Sequence, residues 1–190
     1  MTEQLPLTTT PTPAKLRVED YLLLDGSGAL DRFGKTELIE GEIFYMNAQH
    51  RPHARAKTFI YDALRDGLRA IRSRLIALVE ASVSMPDDSV PEPDIVVTSE
   101  PDGDGLVPLA SVMLLVEVAD TSLAHDRRRK LRLYARNFVP GYWIVDVNAA
   151  LIHQLWSPED DRYAGEHQVR FGEPLHAETI AGLRVETTAL

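Results

Sequence analysis

Residues 112–118 read Val-Met-Leu-Leu-Val-Glu-Val, and residues 142–147 read Tyr-Trp-Ile-Val-Asp-Val. Apolar runs of this length without alternation belong to strands buried on both faces. Between them lies a charged stretch that Ser122 or Asp126 can cap as a helix running to about Asn137, and Pro140-Gly141 ends it. Leu131, Tyr134, Ala135 and Phe138 supply that helix's buried side. Two buried strands bracketing a helix imply a central sheet with helices packed on it.

The same pattern extends outward. Pro91-Glu-Pro-Asp94 leads into a short apolar strand over residues 95–97, and residues 75–85 are rich in β-formers. Residues 98–110 read as an acidic loop. Pro52 suits the first position of a long helix. Ala56, Ile60, Ala63, Leu64, Gly67, Leu68 and Ile71 recur there at helical spacing, with Arg51, Arg55, Thr58, Asp62, Arg65, Arg69 and Arg72 opposite. Residues 37–46 read as extended chain broken at Gly41 by a turn or bulge, and residues 18–24 as a short helix. Residues 152–156, then segments near 162–163, 169–171 and 178–179, read as C-terminal antiparallel strands. The polar, Pro-rich residues 1–14 are expected to be a disordered tail, and residues 15–190 one domain. The fold expected is α+β, or α/β with a mixed central β-sheet flanked by helices and extra C-terminal antiparallel strands.

Composition narrows the chemistry. The chain has 190 residues, 44% hydrophobic and 26% charged, as in globular domains. It has no cysteine, which excludes disulfides, iron–sulfur clusters, Cys-ligated zinc and thiol nucleophiles. No apolar run is long enough for a transmembrane helix, and the first residues lack the charge and apolar core of a secretion signal. A cytoplasmic location is therefore expected, with no membrane partner. Twenty Lys and Arg against 29 Asp and Glu give a net charge of −9. Two segments run against this sign: residues 51–74 carry seven cations and two acids, and residues 126–136 six cations and one acid. Overall acidity speaks against a sequence-blind nucleic-acid coat. The two basic helices are either solvated faces or phosphate contacts.

Three carboxylates stand where carboxylates are costly. Asp94 opens an apolar strand, Glu117 lies inside one, and Glu42 precedes Ile43-Phe-Tyr-Met. Converging, they could hold a hard divalent cation such as Mg²⁺ or Mn²⁺. Separately, Asp94 could cap a turn, Glu117 pair with an arginine, and Glu42 face water. Lys130 borders the buried face of its helix, so it either forms a surface ion pair with Asp126 or turns inward to Glu117. His53, in the first turn of the long helix, is either a surface residue or one that orients a phosphate or water. No H-E-x-x-H, nucleophile elbow, phosphate loop or dinucleotide fingerprint is present.

Several of these residues form an ordered series. Glu37-Leu-Ile-Glu-Gly-Glu42, His53, Pro93-Asp94-Ile-Val-Val, Leu115-Val-Glu-Val-Ala-Asp-Thr-Ser122, Asp126-Arg-Arg-Arg-Lys130-Leu, Tyr134-Ala-Arg and Val139-Pro-Gly-Tyr-Trp-Ile-Val-Asp146 follow one another. Their order and spacing resemble the Uma-two endonuclease family over residues 17–185. The resemblance implies a restriction-endonuclease-like fold of the PD-(D/E)XK superfamily, with Mg²⁺- or Mn²⁺-dependent hydrolysis of phosphodiesters. It implies Asp94, Glu117, Lys130 and Glu42 as catalytic residues, and Asp94, Glu117 and the Val118 carbonyl as metal ligands. Ala119 stands where the superfamily motif has its lysine, a departure that Lys130 would make good from the next helix. His53, Arg55, Arg127 and Arg128 would meet nucleic acid, DNA before RNA, and a homodimer is the assembly allowed for. The rival is a catalytically silent nuclease fold that binds nucleic acid or another protein.

Overall fold

The computed structural model describes residues 13–46, 48–86, 88–119 and 125–190, with backbone alone at 125–127. The tail expected over residues 1–14 therefore falls, but for Pro13 and Ala14, outside the described residues.

Helix α1 (Val18–Gly26) leads through a 3-10 turn (Asp31–Phe33) into β1 (Thr36–Ile39) and β2 (Glu42–Tyr45). These two strands form a hairpin in register Ile39↔Glu42, which leaves Glu40-Gly41 as a two-residue loop. Both loop residues have positive φ, 51° and 77°, the geometry that matches strand twist. The break at Gly41 is thus a turn. A side chain there would meet Lys15 Cβ at 2.8 Å, so glycine also lets the N-terminal segment lie across the turn.

Helix α2 (Arg51–Ala70) carries Pro52 in its first turn. β3 (Ile76–Val79), β4 (Val83–Ser84), β5 (Ile95–Thr98), β6 (Val107–Pro108) and β7 (Val112–Ala119) follow. Then come α3 (His125–Arg136), β8 (Gly141–Asp146), β9 (Leu151–Glu159), β10 (Arg162–Arg170), β11 (Leu175–His176) and β12 (Arg184–Val185). Asp126 lies within α3 rather than at its cap, and Ser122 is outside the described residues.

The central sheet has six strands in the order β10-β9-β8-β7-β5-β3. β7 and β8 run parallel, and the other neighbours antiparallel. This is the mixed sheet expected, with β7 and β8 joined across α3. On one face Ile60, Leu64 and Leu68 of α2 pack on Val97, Val116, Trp143 and Val145, and the C-terminal Leu183 and Val185 join them. On the other face Leu133 and Tyr134 of α3 pack on Val96, Leu115, Tyr142 and Ile144. Strand alternation puts Glu117, two residues beyond Leu115, on the α3 side.

The C-terminal region differs in detail from the sequence reading. The segments near 162–163 and 169–171 are two ends of one nine-residue edge strand, β10. Gly165 and Glu166 sit between them without breaking it, because a solvated edge demands no apolar alternation. Residues 178–179 form no strand; the small hairpin pairs Leu175↔Val185 instead, through two buried apolar side chains. Among the described residues no helix is long and apolar enough to cross a membrane.

Candidate active site

β5 begins where its antiparallel neighbour β7 ends, in register Ile95↔Val116. That register sets Asp94, just before β5, beside the last residues of β7. The Val118 N–H donates to Asp94 Oδ2 at 2.8 Å. On the other oxygen, His53 Nε2–H donates at 3.0 Å and the Lys57 ammonium stands 3.4 Å away. Both come from the first turns of α2, four residues apart and so on one helix face. Burial acts to raise the Asp94 carboxyl, but His53, the Val118 amide and Lys57 outweigh it and hold it below the ordinary Asp range.

Glu117 is held differently. Lys130 Nζ donates to its Oε1 at 3.0 Å, and the Tyr134 hydroxyl to the same oxygen at 2.8 Å. Among the described residues Oε2 accepts no hydrogen bond. Burial pushes the Glu117 carboxyl up to about 8, with Lys130 opposing and the charges of Asp94 and Glu37 adding to the rise. Burial, and then Glu117, keep the Tyr134 hydroxyl protonated, which secures it as a donor. Lys130 is itself buried and bridges to Glu37 Oε2 at 3.1 Å. It therefore turns inward, and its helix spacing from Tyr134, four residues on, aims both at one carboxylate.

These groups line one open cleft of about 830 Å³, whose walls include Glu37, His53, Asp94, Glu117, Val118 and Lys130. Glu80 and Glu92 add acids, and Lys35 pairs with both. Glu80 also receives Lys57, and these two lysines hold its carboxyl below the ordinary range.

Glu42 does not join the cluster. Its position on the hairpin is two residue pairs nearer the turn than Glu37↔Phe44, and it is captured by Lys15 at 2.6 Å and Arg129 at 3.2 Å. The acid that reaches Lys130 is Glu37. Among the described residues no three His, Asp or Glu side chains stand ready to share an ion. His53 is not a surface residue but a donor to Asp94. Arg55 lies away from the cleft, stacked 5.1 Å over Phe59. The Arg127 side chain is outside the described residues. Arg128 lines a second, neighbouring cavity of about 610 Å³ with Arg129, Arg132, Arg136 and Lys15, together with Glu40 and Glu42, which pair with Arg129, Arg136 and Lys15.

Glu37, Lys57 and Tyr134 were not among the residues expected at the site. The signal for Lys57 is its spacing: His53, Lys57, Ile60 and Leu64 follow the inward stripe of α2. The signal for Tyr134 is its i+4 relation to Lys130.

The family model "Putative restriction endonuclease" (Uma2) matches residues 18–188. A comparison with curated proteins gives no match. Among solved structures the chain is similar to a "putative nuclease belonging to DUF820" from Anabaena variabilis, with TM-score 0.69 and 14% identity, over 92% of this chain and 96% of that one. At that identity the likeness speaks for the fold, and the family model speaks for descent. The chain belongs to the Uma2 family.

Proposed function

We propose that the protein is a metal-dependent endonuclease that hydrolyses phosphodiester bonds of nucleic acid, DNA in the first place. The observation that carries this is the pair of unlike carboxylates in one cleft: Asp94 held ionised, and Glu117 with one oxygen open, beside a buried lysine.

The donors fit a hard cation. Asp94 and Glu117 supply carboxylate oxygens, and the Val118 carbonyl leaves β7 on the same side as the amide that reaches Asp94. Mg²⁺ is commonly held by one or two carboxylates, with waters and substrate phosphate completing its shell, so a third acid is not required. When bound, the cation supplies a water of lowered pKa and offsets charge on the phosphoryl oxygens.

The chain's own residues do the rest. His53 and the Val118 amide fix Asp94 in its charged form. Tyr134 and Lys130 hold one oxygen of Glu117 and leave the other for a ligand. Lys130 places a positive charge where the phosphate must sit and orients the attacking water. Arg128 and its neighbours in the second cavity draw the sugar–phosphate backbone toward the cleft.

The test is single-turnover cleavage of DNA and RNA with Mg²⁺ and with Mn²⁺. Asp94→Asn and Glu117→Gln are expected to abolish cleavage while circular dichroism stays unchanged. Lys130→Ala should slow the chemical step about 10²-fold or more, whereas Arg128→Ala weakens binding and leaves saturated turnover intact. Cleavage surviving in both carboxylate variants would place the reaction elsewhere.

A further inference from the structure

Three aromatic rings stand at the rim of the same cleft and have no part in the chemistry above. Phe33, Phe44 and Tyr45 are 40%, 36% and 65% exposed, and all three line the cleft. Phe33 ends the 3-10 turn before β1, and Tyr45 ends β2, so the open end of the hairpin presents them together. The rings of Phe33 and Tyr45 stack, with centroids 6.3 Å apart and planes inclined by 21°. The Arg32 guanidinium lies 4.5 Å over Phe33, and that of Arg129 lies 4.3 Å over Phe44. Tyr45 is the most exposed of the three.

Exposed aromatic surface at the mouth of a cleft calls for a partner. The complement of a flat π face among guanidinium groups is a planar ring on an anionic chain. A nucleobase meets that description, since stacking on aromatic rings tolerates any base. In a duplex both faces of a base are covered by its neighbours and the rings are out of reach. Only a base that has left the stack can lie on Tyr45.

The geometry points to an unpaired nucleic-acid strand as the substrate, with a base stacked on the Phe33–Tyr45 pair and the adjoining phosphate in the cleft. This rests on the endonuclease reading and adds strandedness to it. The platform acts in binding and stands outside the group that cleaves.

The experiment uses the full-length protein without divalent ions, so that nothing is cut, and fluorescence anisotropy with short labelled oligonucleotides. The probes are a single strand, the duplex of the same sequence, and a strand of abasic sites that keeps the phosphates. The wild type is expected to bind the single strand about tenfold or more tighter than the duplex. Tyr45→Ala should lose about tenfold on the single strand and nothing on the abasic strand, with Tyr45→Trp restoring the loss. Equal binding of the base-containing strand by wild type, Tyr45→Ala and Phe33→Ala would overturn the proposal, as would a preference for duplex. A wild-type dimer that Tyr45→Ala breaks in sedimentation would overturn it too, giving the rings to a second copy. If Asp94→Asn still abolishes cleavage while Tyr45→Ala binds normally, the platform falls and the nuclease stands. If the wild type neither binds nor cuts any nucleic acid, both fall.

Discussion

Asp94 and Glu117 are neighbours that lean in opposite directions, and pH separates them. The Glu117 carboxyl is raised from 4.5 to about 8, so the folded chain keeps a proton that the unfolded chain has given up. Stability is whole below the unfolded value and falls as pH rises through that window, by up to about 1.4 kcal/mol per pH unit. Glu117→Gln cannot titrate. In the absence of metal, its stability relative to wild type should climb between pH 5 and 8 in urea denaturation. A difference that stays flat over that range would contradict the buried, under-compensated carboxylate. Asp94, Glu117 and Lys130 were legible in the sequence because a charge embedded in an apolar strand, or beside an apolar helix face, must find a counter-charge or a ligand. Glu37 was not. Glu37 and Glu42 share one face of the hairpin once Gly41 reverses the chain, and which of them meets Lys130 depends on how the hairpin docks. That is a non-local fact. Lys57 was obscured in another way, since the arginines around it make the whole segment look like a solvated face.

At the scale of elements, buried strands and the amphipathic α2 were readable because each is written in a single period. Less was readable where an element answers to a partner: β10 is held by β9 and needs no pattern of its own, and the small C-terminal hairpin is defined by burial of Leu175 and Val185. Gly67 illustrates the same dependence. By helix propensity alone, alanine there would gain about 1 kcal/mol. But a Cβ on Gly67 would lie 2.7 Å from the Arg184 carbonyl and 2.8 Å from Leu183, where β12 crosses α2. Backbone cannot give way as a side-chain tip can. Gly67→Ala should therefore destabilise by about 1–3 kcal/mol, seen as a lower denaturation midpoint. A stabilised variant would mean that β12 does not rest on α2.

At the scale of the molecule, the site draws on four separate parts of the chain, and they are not equally far apart. Glu117, Lys130 and Tyr134 are joined by the single crossover between β7 and β8, whereas Glu37 and Asp94 must arrive from distant segments. Closing a short loop costs less entropy than closing a long one. The crossover contacts should accordingly form on the way up the folding barrier, and the hairpin's contact with Lys130 after it. Stopped-flow kinetics would show this as two different signatures. Tyr134→Phe should slow refolding, while Glu37→Gln should leave refolding alone and hasten unfolding. The parallel pair of strands is thus expected to set a timetable: the lysine and its first carboxylate meet early, and the hairpin that brings Glu37 to them is the last to lock and the first to let go.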